Sequence, residues 1–271
     1  MSPLVLELRA APPQRIDLGA LLPHRLARMT PAAIARLPLW LGNRETPLGE
    51  LFQVSGDDPE HLVLRGECAR LDRIGAGMET GRISVEGDGG WYLGQDMSGG
   101  EIRVQCNAGP FAGAGMAGGA LHIAGDADDF LGGALPGARQ GMRGGQILVK
   151  GDCGDRAGDR LRRGQILITG DAGGYCGSRM LAGTLAVLGH TGECAGYGMR
   201  RGTLLLAQAP ASLPATFNDS GRVEPTFLRL LYRALRRTDP AFERLDPAAC
   251  RVQRHVGDLA CQGQGEILIP V

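Results

Sequence analysis

The sequence predicts an all-β protein, a parallel β-helix of about seven to eight coils, and three observations carry that prediction. Glycine returns at Gly81, Gly100, Gly119, Gly145, Gly164, Gly183 and Gly202, in steps of 19, 19, 26, 19, 19 and 19 residues. The third and fifth positions of every unit are aliphatic, as in Ile83/Val85, Ile102/Val104, Leu121/Ile123, Ile147/Val149 and Ile166/Ile168. Alternation of period two describes a strand with one buried face. Further glycines at fixed offsets, such as Gly94, Gly113, Gly132 and Gly158, mark corners between short segments. A 19-residue unit is too short for a helical hairpin or a propeller blade, and the leucine-rich pattern is missing.

Residues 1–58 lack the repeat and are read as an N-terminal cap, because a stack of coils exposes strand edges and apolar core at its ends. Within it, residues 4–8 alternate as a strand, and Thr30-Pro31 starts a short helix over residues 32–37. Residues 39–54 read as a glycine- and proline-punctuated lead-in. The β-helix itself spans residues 59–209, with a less regular first coil carrying Leu62, Leu64 and Gly66. Each coil ends in a long apolar side chain: Met78, Met97, Met116, Met142, Leu161, Met180 and Met199. Stacked at the strand spacing of about 4.8 Å, these form an internal ladder.

The single long step is a seven-residue insertion, residues 133–139, expected to bulge from one face and make contacts. Residues 210–271 form a C-terminal cap. Pro210 and Pro214 mark a loop, residues 224–237 an amphipathic helix, and GEILIPV a closing strand. On that helix Phe227, Leu230, Leu231 and Leu235 are assigned to the core face, and Arg229, Arg233, Arg236 and Arg237 largely to the other.

Charge balances at 29 basic against 29 acidic residues, which argues against a nucleic-acid or membrane partner. Seven cysteines without a C-x-x-C pair fit reduced thiols. With no signal-peptide pattern and no apolar run of membrane length, the expected location is cytoplasmic. The five histidines are dispersed, so no metal site is expected, and no G-x-S-x-G elbow or P-loop assigns a catalytic residue.

Two columns remain. Asp88, Asn107, Asp126, Asp152 and Asp171, followed by His190, suit Asx-turns; calcium binding or acid–base work on a carbohydrate are the alternatives. Arg143, Arg162, Arg163, Arg200 and Arg201 follow the apolar ladder, with Arg139, Arg156, Arg160 and Arg179 near in sequence. Arg143 and Arg162 should stack in neighbouring coils, where like charges about 5 Å apart repel by about 0.8 kcal/mol in water. Interleaved Asp155, Asp159 and Glu193 would relieve this, as would an anionic partner surface or a polyanionic ligand.

The stretches GDCGDRAGDRLRRGQILITGDAGGYCGSRM and GHTGECAGYGMRRGTLLL resemble the C subunit of formylmethanofuran dehydrogenase and the related C-terminal β-helix of the glutamate synthase large chain. The tail, from TFNDSGRVEPTFLRLLYRAL to GDLACQGQGEILI, resembles the dehydrogenase subunit, so the likeness covers roughly residues 50–271. Within that family the sequence is most similar to the bacterial form, from the formyltransferase/hydrolase complex of methylotrophs. The resemblance implies a right-handed parallel β-helix that scaffolds a multi-subunit complex. That complex moves a formyl group from tetrahydromethanopterin to a methanofuran-type carrier and hydrolyses it to formate. The active sites would lie on amidohydrolase-like, dehydrogenase-B-like and formyltransferase partners, with no cofactor in this chain. The carrier's glutamate chain would give Arg143, Arg162, Arg163, Arg200 and Arg201 a ligand. The rival readings are a stand-alone β-helix carbohydrate enzyme using the Asp column, and a glutamate-synthase-type accessory domain.

Overall fold

The computed structural model describes residues 2–271. The N-terminal part runs β1 (Pro3–Leu8), β2 (Ile16–Asp17), α1 (Pro23–Leu26), α2 (Pro31–Ile34), β3 (Pro38–Leu41), β4 (Arg44–Pro47), α3 (Leu48–Leu51) and β5 (Phe52–Ser55). Then come β6 (Asp58–Arg65), β7 (Leu71–Asp72), β8 (Arg82–Glu86), β9 (Glu101–Val104), β10 (Ala120–Ile123), β11 (Gln146–Val149), β12 (Gln165–Ile168), β13 (Thr184–Val187) and β14 (Thr203–Leu206). The chain ends with β15 (Asn218–Val223), α4 (Thr226–Thr238), β16 (Val252–Gly257) and β17 (Gly265–Pro270).

The protein is mostly β, organised on one large parallel-rich sheet of order β15-β16-β17-β14-β13-β12-β11-β10-β9-β8-β6-β1-β5. Pairing is parallel from β1 through β17, and only β5, β16 and β15 join antiparallel, at the two ends. Equivalent repeat positions stand on one another: Ile83 on Ile102, Ile102 on Leu121, Leu121 on Ile147, Ile147 on Ile166. A second ladder of isolated parallel bridges joins Gly89, Ala108, Ala127, Cys153, Ala172 and Thr191. Each unit therefore holds its neighbour both at the strand and at a corner. Met78, Met97, Met116, Met142, Leu161, Met180 and Met199 are all fully buried, as the repeat predicts. The restart glycines are required because the corner has φ +85° at Gly145, where a Cβ would meet the Gly119 carbonyl oxygen at 2.7 Å.

The insertion leaves the register intact for a local reason. In a regular unit the methionine amide bonds the glycine carbonyl three residues back, as Met116 does to Gly113 at 3.2 Å. Met142 keeps that bond to Gly132 at 2.8 Å although the extra residues lie between them. The added segment is thus a loop closed at its neck.

Three expectations need correction. Residues 39–54 are not an irregular lead-in: β3 and β4 form an antiparallel hairpin, and β5 joins β1 in the large sheet. The aspartate column does not close its own turns. Asp88 Oδ1 accepts the Asn107 amide at 2.9 Å, Asn107 accepts from Asp126, Asp126 from Asp152, Asp152 from Asp171, and Asp171 from His190. Each side chain ties its repeat to the next, because parallel stacking brings that amide closer than its own turn does. Finally, α4 is rotated from its expected setting. Leu228, Tyr232 and Leu235 are buried, while Phe227 is 41% and Leu230 69% exposed. The i, i+4, i+7 set wins because it lies on Leu167, Ala186, Leu205 and Leu268, on the outer face of the sheet. Strands β11 to β14 are buried on both faces for that reason: their outward third positions are Leu148, Leu167, Ala186 and Leu205, where β8 to β10 have Ser84, Arg103 and His122.

Candidate functional site

The insertion builds the most articulated surface on the stack. Three hollows adjoin it and share side chains. One of about 550 Å³ is lined by Arg139, Arg160, Arg179, Tyr197, Arg200 and Asp258. A second, about 310 Å³, lies between Asp96, Gly115, Leu135, Arg139 and Arg143. The third, about 230 Å³, has Phe111 and Phe130 on one side, residues 134–138 on another, and Arg160 and Arg179 beyond. Five guanidinium groups thus meet three carboxylates, Asp96, Asp159 and Asp258, a surplus of two positive charges.

Their geometry is fixed from beneath. Asp159, 1% exposed, accepts the Ser178 hydroxyl at 2.7 Å and the Arg179 Nε and Nη2 groups, each at 2.9 Å. Arg160 lies 3.9 Å from the same carboxylate and donates to the Ala138 carbonyl at 3.2 Å, tying the loop to the stack. Arg143 pairs with Asp96 at 3.6 Å and donates to the Gly115 carbonyl. Burial pushes the Asp258 carboxyl up, but hydrogen bonds from the Thr216 side chain and the Gly198 and Ala260 amides outweigh it and hold the group below the ordinary range. Arg139 and Arg200 have no carboxylate within ion-pair distance among the described residues.

Asp96, Arg160 and Arg179 adopt φ of 53°, 54° and 53°, at a repeat position that Gly77, Gly115 and Gly198 occupy in other units. These corners carry backbone strain, as does a second corner in every unit, where Arg73, Tyr92, Phe111, Phe130, Arg156, Tyr175 and Cys194 have φ of 56–62°. A left-handed conformation costs a non-glycine residue about 1–2 kcal/mol, so the side chains at these corners are retained against a local penalty. At that second corner, which precedes the first in each unit, a column of rings rises: Tyr92 on Phe111 at 5.3 Å and Phe111 on Phe130 at 4.8 Å. The Arg156 guanidinium continues it, 5.8 Å from Phe130 and 4.7 Å from Tyr175, and Tyr197 meets Tyr175 edge-on. The groove therefore offers fixed cations beside a rigid aromatic wall, which is chemistry for holding an anion rather than for breaking a bond. Among the described residues, no three His, Cys, Asp or Glu side chains are grouped to hold a metal ion. No helix among the described residues is long and apolar enough to cross a membrane.

No protein-family model matches the chain. The C subunit of the formyltransferase/hydrolase complex of Methylorubrum extorquens is 43% identical over 88 residues, 32% of this chain and 33% of that protein. The C subunit of the molybdenum-containing formylmethanofuran dehydrogenase 1 of Methanosarcina barkeri is 34% identical over 98 residues, 34% of this chain and 33% of that protein. The matched stretches span about a third of the length of these curated relatives. The structural match is not partial. A chain in the crystal structure of the M. extorquens formyltransferase/hydrolase complex with methylofuran superimposes with a TM-score of 0.93 at 40% identity, covering 98% of this chain and 99% of that one. The chain belongs to the family of formylmethanofuran dehydrogenase C subunits.

Within this family member, the arginines singled out from the sequence divide. The Arg143 amide bonds the Met116 carbonyl and the Arg162 amide bonds the Met142 carbonyl, so the two do stand in neighbouring repeats. Leu181 takes the next place and separates them from Arg200. Arg143 and Arg200 line the groove; Arg162, Arg163 and Arg201 are exposed beside it. Two of the expected interleaving carboxylates are engaged elsewhere: Asp159 serves Arg179, and Asp155 accepts the Gly174 amide at 2.7 Å. Arg139, Arg160 and Arg179 stand out in the sequence only as neighbours of the column. The signal that marks them is the insertion, the one break in an otherwise constant period.

Proposed function

We propose that this chain is the non-catalytic scaffold subunit of a formyltransferase/hydrolase complex. In that complex a formyl group passes from tetrahydromethanopterin to a methanofuran-type carrier and is released as formate. The observation that carries the reading is the 0.93 TM-score match, along 98% of the chain, to a chain of the M. extorquens complex with methylofuran. We read the stack as a right-handed parallel β-helix of seven to eight coils, capped by residues 1–58 and 210–271, working in the cytoplasm beside amidohydrolase-like, dehydrogenase-B-like and formyltransferase subunits. The chain's own chemistry supports a passive role. Buried Cys68 and Cys153 have their thiols pushed up to about 12 by burial, which suits packing and not nucleophilic attack. The Asp column is consumed in backbone hydrogen bonds, which weakens the carbohydrate-enzyme alternative.

The arginine groove then suits the carrier's glutamate chain, with Arg143 and Arg200 joined by Arg139, Arg160 and Arg179, and Arg162, Arg163 and Arg201 extending it outward. Purifying the untagged chain from its native cells tests the scaffold reading. Co-purification with the three kinds of partner is expected, and formyl transfer by the lone chain would refute it. Arg143→Glu combined with Arg200→Glu should weaken carrier binding at least tenfold while the complex still assembles; unchanged affinity would remove the groove from the account.

A further inference from the structure

The outer face of α4 carries a second concentration of charge that the groove does not explain. Arg229, Arg233, Arg236 and Arg237 are all exposed, and none is within ion-pair distance of a carboxylate among the described residues. They line a cavity of about 590 Å³ opposite Asp246, Pro247 and Ala248, and the one carboxylate there, Asp246, is engaged by the Ala248 amide at 2.8 Å. The helix's own stability does not call for this arrangement. Arg236 and Arg237 suit the negative end of the helix dipole, but Arg229 stands in the first turn, where a cation is disfavoured. Arg229/Arg233 and Arg233/Arg237 are like charges four residues apart. By helical spacing Leu230, 69% exposed, stands beside Arg233 and Arg237, and Phe227, 41% exposed, lies further round on the flank away from the cavity, so the arginine ridge runs beside an apolar seam.

We propose that this face is the docking ridge for an acidic segment with apolar anchors, supplied by another subunit of the complex; this rests on the scaffold reading given above. Charge complementarity selects that occupant. Every one of the four guanidinium groups is exposed, so a single small anion would remain hydrated and gain little. A chain bearing several carboxylates engages the groups together, each contact raising the effective concentration of the next. The apolar seam gives such a segment a dry contact beside the ion pairs, the usual composition of a protein interface in which arginine and aromatic residues are enriched. A nucleic acid would satisfy the arginines and leave Leu230 and Phe227 wet.

The test uses the assembled complex. The wild-type chain, Arg229→Glu/Arg233→Glu/Arg237→Glu, and a charge-matched control at exposed arginines elsewhere, Arg25→Glu/Arg28→Glu/Arg36→Glu, are each produced in cells with the partner subunits. Native mass spectrometry gives the fraction assembled, and circular dichroism of the purified chains shows that each is folded. The ridge variant should lower the assembled fraction at least tenfold and the control should not. A photo-crosslinking residue at position 230 should join the chain to a segment rich in Asp and Glu. Wild-type-like assembly of the folded ridge variant, a cross-link to a neutral or basic surface, or co-purified nucleic acid lost with the arginines would each overturn the proposal. A wild-type chain that joins no partner would overturn the scaffold reading along with it.

Discussion

Replacing Asp159 with alanine separates the groove's foundation from its surface. The carboxylate is 1% exposed and receives the Ser178 hydroxyl and two Arg179 nitrogens at 2.7–2.9 Å. Deleting one member of a buried ion pair costs about 3–5 kcal/mol. The Arg179 side chain is 39% exposed and can turn into water, which reduces that cost to about 2–3 kcal/mol. Ser178, fully buried, keeps an unpartnered hydroxyl and prevents the cost from vanishing. With an unfolding entropy of about 2.1 cal/mol/K per residue, the 271 residues give roughly 0.57 kcal/mol/K. The melting temperature should therefore fall by about 4–5 °C. Should a few repeats open separately, as stacked units can, the shift would be larger. Asp159→Asn retains an acceptor for Ser178 and should lose about half as much. Calorimetry at pH 7 reads the shift, and amide exchange at Ser178 and Arg179 shows whether it is local. A melting temperature for the alanine variant within about 1 °C of wild type would mean that the network anchors nothing.

Gly145→Ala places a Cβ 2.7 Å from the Gly119 carbonyl oxygen at φ +85°, whereas Gly137→Ala has φ +82° and nothing within 4 Å. The first should cost more than about 3 kcal/mol and the second about 1–2; equal melting shifts would dismiss the backbone contact as the cause. Acidification should destabilise the protein in two steps. Burial lowers the His122 pKa below 6.5, so the unfolded chain binds the proton first and stability falls as pH drops through 6.5. For Glu101, burial raises the pKa but hydrogen bonds from Arg103 and Arg82 prevail and lower it below 4.5, so its contribution is full above pH 4.5 and is lost through the lower folded value. His122→Gln should abolish the first step of a melting-temperature titration and leave the second; persistence of both would assign the upper step elsewhere. A thiol reagent should label exposed Cys106 first and reach buried Cys68, Cys153 and Cys176 only on unfolding, and mass spectrometry that finds early labelling of Cys153 would contradict the packing.

The 19-residue period is enough to specify the interior. When each repeat rests on the next, the contacts of Ile147 or Met142 lie one period away, so a linear pattern already contains the packing. The closing strand and the helix start at Thr30 are legible for a similar reason, since their signals are local. What escapes the sequence depends on elements far apart in it. The buried face of α4 is set by the outer surface of β11 to β14, although the unbroken apolar runs of those strands are a sign that something covers them. Whether Asp152 bonds its own turn or the next repeat, and which arginines Asp159 holds, are settled by distances across the stack. Periodicity thus dictates the column and its filling, whereas the charges that meet on its surface are chosen by folding, because side-chain pairing depends on a spatial approach that no one-dimensional period records.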